Sequence, residues 1–273
     1  MSNIGYEGVD AMELESILVK RDEGVGTIIL NRPKALNPLS NQCNREISAT
    51  IAEFRTDKNI RSVIITGVGN AFSAGGDIKE IESYPPQEAL NFRDAMLIMK
   101  KTILDIRNLP KPVITAVNGL AYGLGCSLAL TGDIILASDQ ATFCQAFVKV
   151  GLIPDGGSTF FLPRLIGTAR AFPLVFSGDP IGAQEAFSIG LVSKVIAADK
   201  LAEEAMALAK KLAQGPTRAM GLAKELIYAG MERTLSDQLE NEGSVQCLCR
   251  LTKDYQEGFR AFREKRAPKF VGE

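Results

Sequence analysis

Apolar and polar positions alternate along the chain in two distinct patterns, which together predict its secondary structure. Residues 16–20 and 25–31 are rich in β-branched and apolar residues on either side of residues 22–24, and this predicts a β-hairpin. Ser40 is a suitable N-cap for a helix that runs to about Arg55. The same patterns predict strands at residues 61–66, 113–117 and 134–137 and a helix over residues 87–107.

The order of these elements indicates the fold class. Strands alternate with helical segments up to about residue 150, which is typical of an α/β fold. We place a boundary near residue 200, between an α/β core at 1–200 and a helical region at 201–273. Since no repeat or low-complexity linker is visible, the helical region is expected to pack on its own core or on a neighbouring subunit. Its helices are predicted at residues 201–214, 217–229, 234–250 and 252–264.

Composition narrows the classes of protein to consider. The 273 residues are 46% hydrophobic, yet no run of 18 apolar residues occurs, so a membrane span is not expected. Residues 1–15 lack the basic start and apolar run of a secretory signal. The net charge of −1 argues against nucleic acid as the main partner. Five cysteines, an odd number, indicate reduced thiols and a cytoplasmic location.

The chain contains no histidine, and this limits its chemistry. Ser-His-Asp and Cys-His triads and histidine metal sites are excluded. Cys247 and Cys249 lack a zinc spacing and a second pair, so no metal site is expected. Any acid–base catalysis therefore falls to Asp, Glu, Lys, Tyr or Cys.

Two glycine-rich turns follow predicted strands, at residues 71–80 and 118–128. Each one alone is typical of an ordinary strand-to-helix connection. The second turn runs into an apolar helix predicted at residues 127–130. Glycines leave backbone N–H groups free to point at an anion, so the two turns together can form a two-donor oxyanion hole. Neither turn has the pattern of a P-loop or of a dinucleotide-binding loop.

Asp155 is the candidate general base. It lies on a glycine-flanked turn at residues 151–158, and the only other acids between residues 111 and 167 are Asp133 and Asp139. A carboxylate on such a turn, beside apolar segments, can remove a proton from a bound molecule. The alternative interpretation is a turn aspartate that caps the helix after Gly156 and Gly157.

Four blocks carry a family resemblance. Residues 31–37, 72–80, 111–125 and 151–157 stand in the order and spacing of the crotonase (enoyl-CoA hydratase/isomerase) family, and residues 257–266 resemble its tail. The resemblance implies an α/β spiral of ββα repeats with a C-terminal helical trimerisation region at 201–273. It also implies an acyl-CoA substrate, with coenzyme A as part of the substrate and no separate cofactor, and a homotrimer or a dimer of trimers.

The resemblance also implies residue roles. The thioester oxygen would lie between the backbone N–H groups of Gly76 and Leu124. The expected substrate and CoA contacts come from two parts of the chain. The first part is the core, with Lys34, Ala35, Ala74, Asp77, Ile78, Lys79 and Phe147, and the second is the tail, with Phe262 and Lys265. Lysines suit the phosphates of CoA, although Asp77 on its own is typical of a helix cap.

The chain departs from the hydratases of the family at two positions. Hydratases use two glutamates, and this sequence has Ser127 and Phe147 in their places. Ser127 cannot act as a base without an activating partner, and Phe147 cannot act at all, so standard syn-hydration is not expected. Asp155 resembles the single base of Δ3,Δ2-enoyl-CoA isomerases and of ring-type isomerases. It also resembles the nucleophile of an aryl-CoA dehalogenase, which the absence of His and Trp disfavours.

The sequence therefore predicts an acyl-CoA double-bond isomerase, with apolar neighbours such as Phe147 and Leu152 raising the pKa of Asp155. Two alternatives remain. One is a hydratase that uses an atypical base or a water held by Ser127 and Asp155. The other is a non-catalytic module that binds acyl-CoA or serves as an oligomerisation scaffold.

Overall fold

The computed structural model describes residues 11–85, 87 and 89–273. Most of the segment in which no secretory signal is predicted, at residues 1–15, therefore lies outside the described residues. Two β-sheets and the helices around them make up the described chain. None of the helices in this part of the chain has the length and hydropathy that crossing a bilayer requires.

The larger sheet has seven strands in the order β1-β2-β3-β4-β6-β8-β11. The predicted hairpin forms β2 and β3, which pair antiparallel with Ile17 opposite Leu30. Its turn uses positive φ angles at Glu23 and Gly24. The pairs from β3 through β11 are all parallel, as crossover helices require. The strands are β1 Ala11–Glu13, β2 Ile17–Asp22, β3 Val25–Leu30, β4 Ser62–Gly67, β6 Val113–Val117, β8 Ile134–Ser138 and β11 Lys194–Ile196.

A smaller four-stranded sheet, ordered β10-β9-β7-β5, was not predicted from the sequence. Its strands have only two or three residues, too few for an alternating pattern to be recognised. Strands β5, β7 and β9 each follow a strand of the larger sheet and pair in parallel. This repetition of large-sheet strand, small-sheet strand and helix confirms the predicted α/β fold of ββα repeats. The strands are β5 Ala71–Ser73, β7 Leu120–Tyr122, β9 Thr142–Cys144 and β10 Ile181–Gly182.

The helices largely follow the apolar periodicity. Ser40 caps the first helix, because its Oγ accepts a hydrogen bond from the Cys43 amide at 3.1 Å. The helix predicted at residues 127–130 begins earlier, at Leu124, since Gly123 with its positive φ ends the preceding strand. The helices are α1 Asn41–Thr56, α2 Ile78–Glu82, α3 Ala89–Arg107, α4 Leu124–Ala129, α5 Ser158–Ile166, α6 Thr168–Ser177, α7 Ala183–Ser188, α8 Leu201–Ala213, α9 Thr217–Gly230, α10 Leu235–Arg250 and α11 Lys253–Glu264.

Apolar side chains cover both faces of the larger sheet. On one face, α1 and α3 contribute Ile47, Phe54 and Ile106 to a cluster that continues to α4 and α5. On the other face, α8 packs its alanines against Ile64 and Ile114 of the sheet. Helix α8 therefore packs on the core although it lies beyond residue 200, whereas α10 has no buried side chain. The division into two regions at residue 200 stays a prediction.

Close backbone contact between α4 and β5 generates the first prediction. A β-carbon at Gly125 would lie 2.3 Å from the Ser73 carbonyl oxygen, a distance that the packed backbone cannot accept. Replacing Gly125 by Ala should lower the free energy of unfolding by about 1 to 3 kcal/mol, measured by urea denaturation.

Gly243 provides the matched control. It lies in α10, and a β-carbon there would meet no described heavy atom within 4 Å. Gly243→Ala should raise the stability by about 0.5 to 1 kcal/mol, because alanine favours the helix. Equal effects of the two substitutions would contradict the close contact.

Candidate active site

The two glycine-rich turns lie side by side. Strands β5 and β7 are parallel neighbours, so the turns that follow them emerge at the same edge of the smaller sheet. A β-carbon at Gly75 would lie 2.8 Å from the Tyr122 carbonyl oxygen and 3.4 Å from the Leu124 nitrogen. Gly75 has a φ of +107°, which glycine adopts without strain. The structure thus brings the predicted Gly76 and Leu124 positions to one edge.

The amide groups of these two residues are available to a ligand. Leu124 is the first residue of α4, where a helix leaves its N–H groups without an intrahelical acceptor. The Gly76 amide has no backbone acceptor in the described part of the chain. The turn itself is held by the Leu39 amide, which donates to the Gly75 carbonyl at 2.8 Å. The arrangement has the two donors that an oxyanion hole needs.

Asp155 reaches the same edge through a tightly packed turn. A 3-10 helix, Ala146–Val150, leads into this turn, and Gly156 follows Asp155 with a φ of +58°. A β-carbon at Gly156 would lie 2.6 Å from Leu124 Cδ1 and 2.7 Å from Ser127 Cβ. Only glycine allows the backbone to approach α4 this closely, so the turn places Asp155 beside the N-terminus of α4.

The carboxyl group of Asp155 has an unusual environment. Its Oδ1 atom is buried without a hydrogen-bond partner, and Asp155 is the only carboxylate among the described residues with such an atom. Burial raises the pKa of Asp155 from 3.8 to about 6, because the low-dielectric surroundings disfavour the charged form. A carboxyl group with a pKa in this range is a stronger base than a solvated aspartate.

The capping interpretation of Asp155 is not supported by the hydrogen bonds. Helix α5 begins at Ser158, and Gly157 at its N-cap offers no side chain. The Ser158 amide bonds to the backbone carbonyl of Asp155 at 3.0 Å and not to its carboxylate. The carboxylate is therefore not needed to satisfy the start of the helix.

Four other acids, Asp133, Asp139, Asp77 and Glu80, are engaged in holding the structure. Asp133 accepts hydrogen bonds from the Val113 amide and from Tyr228 and pairs with Lys224, and Asp139 accepts from the Ala198 amide. The other two lie in the first glycine turn and α2, and they act in the same way. Glu80 accepts from the Asn41 amide at 2.7 Å, and Asp77 caps α2 through the Lys79 amide.

Asp77 is also joined to Arg32 by an ion pair of 2.6 Å. Burial alone would raise the pKa of Asp77, but the hydrogen bond and charge of Arg32 outweigh it and hold that pKa below its usual value. Asp77 thus stays ionised and fixes the turn beside Gly76. Sequence analysis did not identify this role of Arg32, since a partner 45 residues away leaves no local pattern.

Ser127 and Phe147, the positions where the resemblance implies the two glutamates of a hydratase, are both buried. The Ser127 hydroxyl donates to the Asp155 backbone carbonyl at 2.8 Å and lies 2.8 Å from the Ser158 hydroxyl. The Phe147 ring faces Gly123, with its Cζ 3.9 Å from the position of a β-carbon there. Leu152, expected to shield Asp155, is 46% exposed, so the burial of Asp155 has to come mainly from other side chains.

The predicted CoA-binding residues of the core, with the exception of Phe147, share one surface. Lys34 and Ala35 lie in the 3-10 helix Pro33–Ala35, and this segment is joined to the first glycine turn by the Ala74 amide, which donates to the Leu36 carbonyl at 2.9 Å. Ala74, Asp77, Ile78 and Lys79 follow on the turn and α2. Asp77 is half-buried, and Phe147 is buried in the 3-10 helix Ala146–Val150, whereas the other members of the set are exposed: Lys34, Ala35, Ala74, Ile78 and Lys79. Two lysines therefore lie at the surface close to Gly76.

The structure does not bring Phe262 and Lys265 together with these residues. Both lie at the end of α11, with Phe262 82% exposed. Helix α11 is held through Asp254, which accepts hydrogen bonds from the Val271 and Gly272 amides. Within the described residues, no hydrogen bond or ion pair joins α11 to the 3-10 helix Pro33–Ala35 or to α2. No group of residues suited to a metal ion occurs in the described chain either.

Comparison with known proteins finds matches to enoyl-CoA hydratases and to a related isomerase. The family profile described as enoyl-CoA hydratase/isomerase matches residues 20–273. The chain is 38% identical to the 1,2-epoxyphenylacetyl-CoA isomerase of Escherichia coli K12, covering 95% of this chain and 99% of the relative. It is 41% identical to a probable enoyl-CoA hydratase of Mycobacterium bovis, with the same coverage. A crystal structure of enoyl-CoA hydratase from Bacillus anthracis matches with a TM-score of 0.90 at 37% identity, covering 95% of this chain and 100% of that chain.

The raised pKa of Asp155 predicts a stability effect that depends on pH. Because the folded-state pKa lies above the unfolded value, the ionised carboxylate destabilises the fold as the pH rises through about 6. The penalty above that pH is on the order of 2 to 3 kcal/mol. Asp155→Asn should therefore raise the Tm by several degrees at neutral pH, and the gain should disappear near pH 4.

Thermal unfolding of both proteins across this pH range measures the effect. Asp199→Asn is the control, because Asp199 is exposed in the turn before α8 and its removal should give no comparable pH-dependent gain. An Asp155→Asn variant without added stability at neutral pH would contradict the unpaired, buried carboxylate.

Proposed function

Because the chain belongs to the enoyl-CoA hydratase/isomerase family, we propose that it is an acyl-CoA double-bond isomerase in which Asp155 moves a proton between two carbon atoms. The observation that carries the proposal is the half-buried Asp155 carboxylate, which has one buried oxygen without a partner and a raised pKa. It lies beside the amide donors of the glycine turns, and Ser127 and Phe147 stand where a hydratase needs glutamates.

The reaction needs one acid–base group and one anion site. The Asp155 carboxylate removes a proton from C2 of a 3-enoyl-CoA, and the electron pair of the C–H bond passes to the thioester oxygen through a dienolate. The amides of Gly76 and Leu124 stabilise that oxygen, for which one donor typically contributes about 10²–10³ in rate. The protonated Asp155 then returns the proton to C4, so the double bond moves to C2–C3 and no atom is lost.

Hydration places greater demands on the site. Adding water requires one group that deprotonates the water and a proton source for the α-carbon. Ser127 donates its hydroxyl hydrogen to the Asp155 carbonyl, which removes it from the role of holding water. Phe147 has no polar group. The identity to a relative named as an isomerase is close to the identity to a relative named as a probable hydratase, so overall similarity does not favour either reaction. The choice of isomerisation therefore rests on these site residues.

The substrate carries coenzyme A, and no further cofactor is part of the proposal. Lys34 and Lys79 supply positive charge for the CoA phosphates at the surface beside Gly76. An unsaturated ring acyl-CoA and a linear 3-enoyl-CoA are both compatible with the single base. Phe262 and Lys265 contribute from a helix that lies apart from these lysines, which fits a CoA site completed by a neighbouring copy of the chain.

Turnover of Asp155→Asn tests the mechanism. Asparagine keeps the shape of the side chain but cannot accept a proton, so kcat for isomerisation of a 3-enoyl-CoA should fall about 10²–10⁴-fold. Binding of a CoA ester, measured by calorimetry, should stay within about threefold, since the ester contacts other residues.

The same sample assayed on a 2-enoyl-CoA in water separates the alternatives. If hydration is faster than isomerisation, the protein is a hydratase with an atypical base and the proposed isomerase function is wrong. Turnover near the wild-type value in Asp155→Asn would rule out the proposed base, and a CoA ester bound without any turnover would identify a binding module. Asp199→Asn again serves as the matched control.

Assembly as a homotrimer or a dimer of trimers is part of the same proposal. Large apolar side chains are exposed on the C-terminal helices, including Leu235, Leu251 and Phe262 at 75%, 79% and 82%. Such surface favours burial between subunits. Light scattering should give a mass three or six times that of one chain, and a monomer at micromolar concentration would contradict it.

A further inference from the structure

Two buried hydroxyl groups meet beneath the Asp155 turn and have no part in the reaction as described. Ser127 lies in α4 and is 0% exposed, and Ser158 starts α5 and is 1% exposed. Their Oγ atoms are 2.8 Å apart, although 31 residues separate them in sequence. Buried hydroxyls need partners, so the hydrogen bonds of this pair define what it does.

Two hydrogen bonds converge on the Asp155 backbone carbonyl. The Ser127 hydroxyl donates to this carbonyl at 2.8 Å, and the Ser158 amide donates to it at 3.0 Å. Both lone pairs of the carbonyl oxygen are then used. The Gly123 carbonyl lies farther from Ser127 Oγ, at 3.3 Å, and shares the same hydrogen. Because Ser127 has only this hydrogen, we assign the Ser158 hydroxyl as the donor between the two serines.

The carboxylate of Asp155 depends on this backbone contact. Its buried oxygen has no hydrogen bond, so no side-chain partner fixes where it points. The position of the carboxylate is set by the backbone of the turn and by packing. A displacement of about 1 Å at a reacting group is enough to lower a rate about 10²-fold.

We propose that Ser127 and Ser158 form a hydroxyl clamp that holds the Asp155 backbone against α4, which makes both serines positioning residues for the proton transfer. The inference rests on the proposed function, because it assigns the clamp to the base used there. It gives Ser127 the role of positioning the base, at the position where the resemblance implies a glutamate in hydratases.

The steric fit at Gly156 supports the clamp independently. A β-carbon at Gly156 would lie 2.7 Å from Ser127 Cβ and 3.2 Å from its Oγ, so the turn rests directly on this serine. The small side chain of Ser127 fits the gap between α4 and Gly156, and its hydroxyl binds the Asp155 carbonyl. The steric contact and the hydrogen bond therefore both hold the turn that contains Asp155 and Gly156.

Among the described residues, burial is the cause of the raised pKa of Asp155, and the charged side chains on the elements next to its turn have other partners. The 3-10 helix Ala146–Val150 carries Lys149, which pairs with Asp179, and α5 carries Arg164, which lies over the Phe160 ring. Helix α4 carries only the buried thiol of Cys126. The pKa of Asp155 is raised by burial, so a turn that lifts away from α4 admits water and lowers that pKa.

Ser127→Ala tests the clamp with two readouts. On a short 3-enoyl-CoA, kcat should fall about 10- to 100-fold while KM stays within about twofold, because the base is displaced and the ester contacts are kept. The acid limb of kcat/KM, expected near pH 6 in the unchanged protein, should move to lower pH. Stability is followed in the same samples by thermal unfolding.

Ser62→Ala is the matched control. Ser62 is also a fully buried serine, and its hydroxyl donates to the Ala209 carbonyl at 2.8 Å, between β4 and α8. Its loss should lower the Tm, as the loss of a buried hydrogen bond does, without moving kcat or the acid limb. This separates positioning from stability.

Ser158→Ala and the double variant complete the test. If the serines act as one unit, the double variant should lose little more kcat than Ser127→Ala alone. The clamp is overturned if Ser127→Ala and Ser158→Ala keep the kcat and acid limb of Ser62→Ala while Asp155→Asn is inactive. An active Asp155→Asn would instead remove the proposed function itself, so the two failures are distinguishable.

Discussion

A half-buried carboxyl group, with one buried oxygen that has no hydrogen-bond partner, is the constraint on which this site depends. Such a group destabilises the folded chain when it is ionised, and only the surrounding structure can hold it in place. In this protein that structure is the contact between the Asp155 turn and α4, with Gly156 packed onto Leu124 and Ser127. The same burial that destabilises Asp155 raises its pKa and makes it a stronger base.

The two amide donors depend on a second constraint, which is the parallel order of the small sheet. Because β5 and β7 are parallel neighbours, their following turns lie at one edge, and the glycines let the backbones come into contact. The third turn reaches the same edge through β9, the next parallel strand. The ββα repeat thus places Gly76, Leu124 and Asp155 together although they are far apart in sequence.

The sequence predicted the parts of this arrangement that leave a local pattern. The hairpin around Gly24, the strands of the large sheet and the Ser40 cap all appeared in the apolar spacing or in the residue types at their ends. The small sheet did not, because its strands are too short for a period. Contacts such as Ser127 with Ser158 and Arg32 with Asp77 were missed, since each joins segments distant in sequence.

The choice between one acid and two also follows from this packing. A glutamate at position 127 would have to occupy the space where Gly156 and the Asp155 carbonyl meet α4, which the serine fills with a single hydroxyl. The site can therefore keep the Asp155 turn in contact with α4 only while residue 127 is small. A carboxylate brought in by the turn and a carboxylate carried on α4 are alternative solutions to the same geometry, and in this chain the carboxylate is on the turn. Under the proposed function, the chemistry is then limited to what one carboxylate and two amides can do, which is to remove a proton and to return it elsewhere on the same molecule.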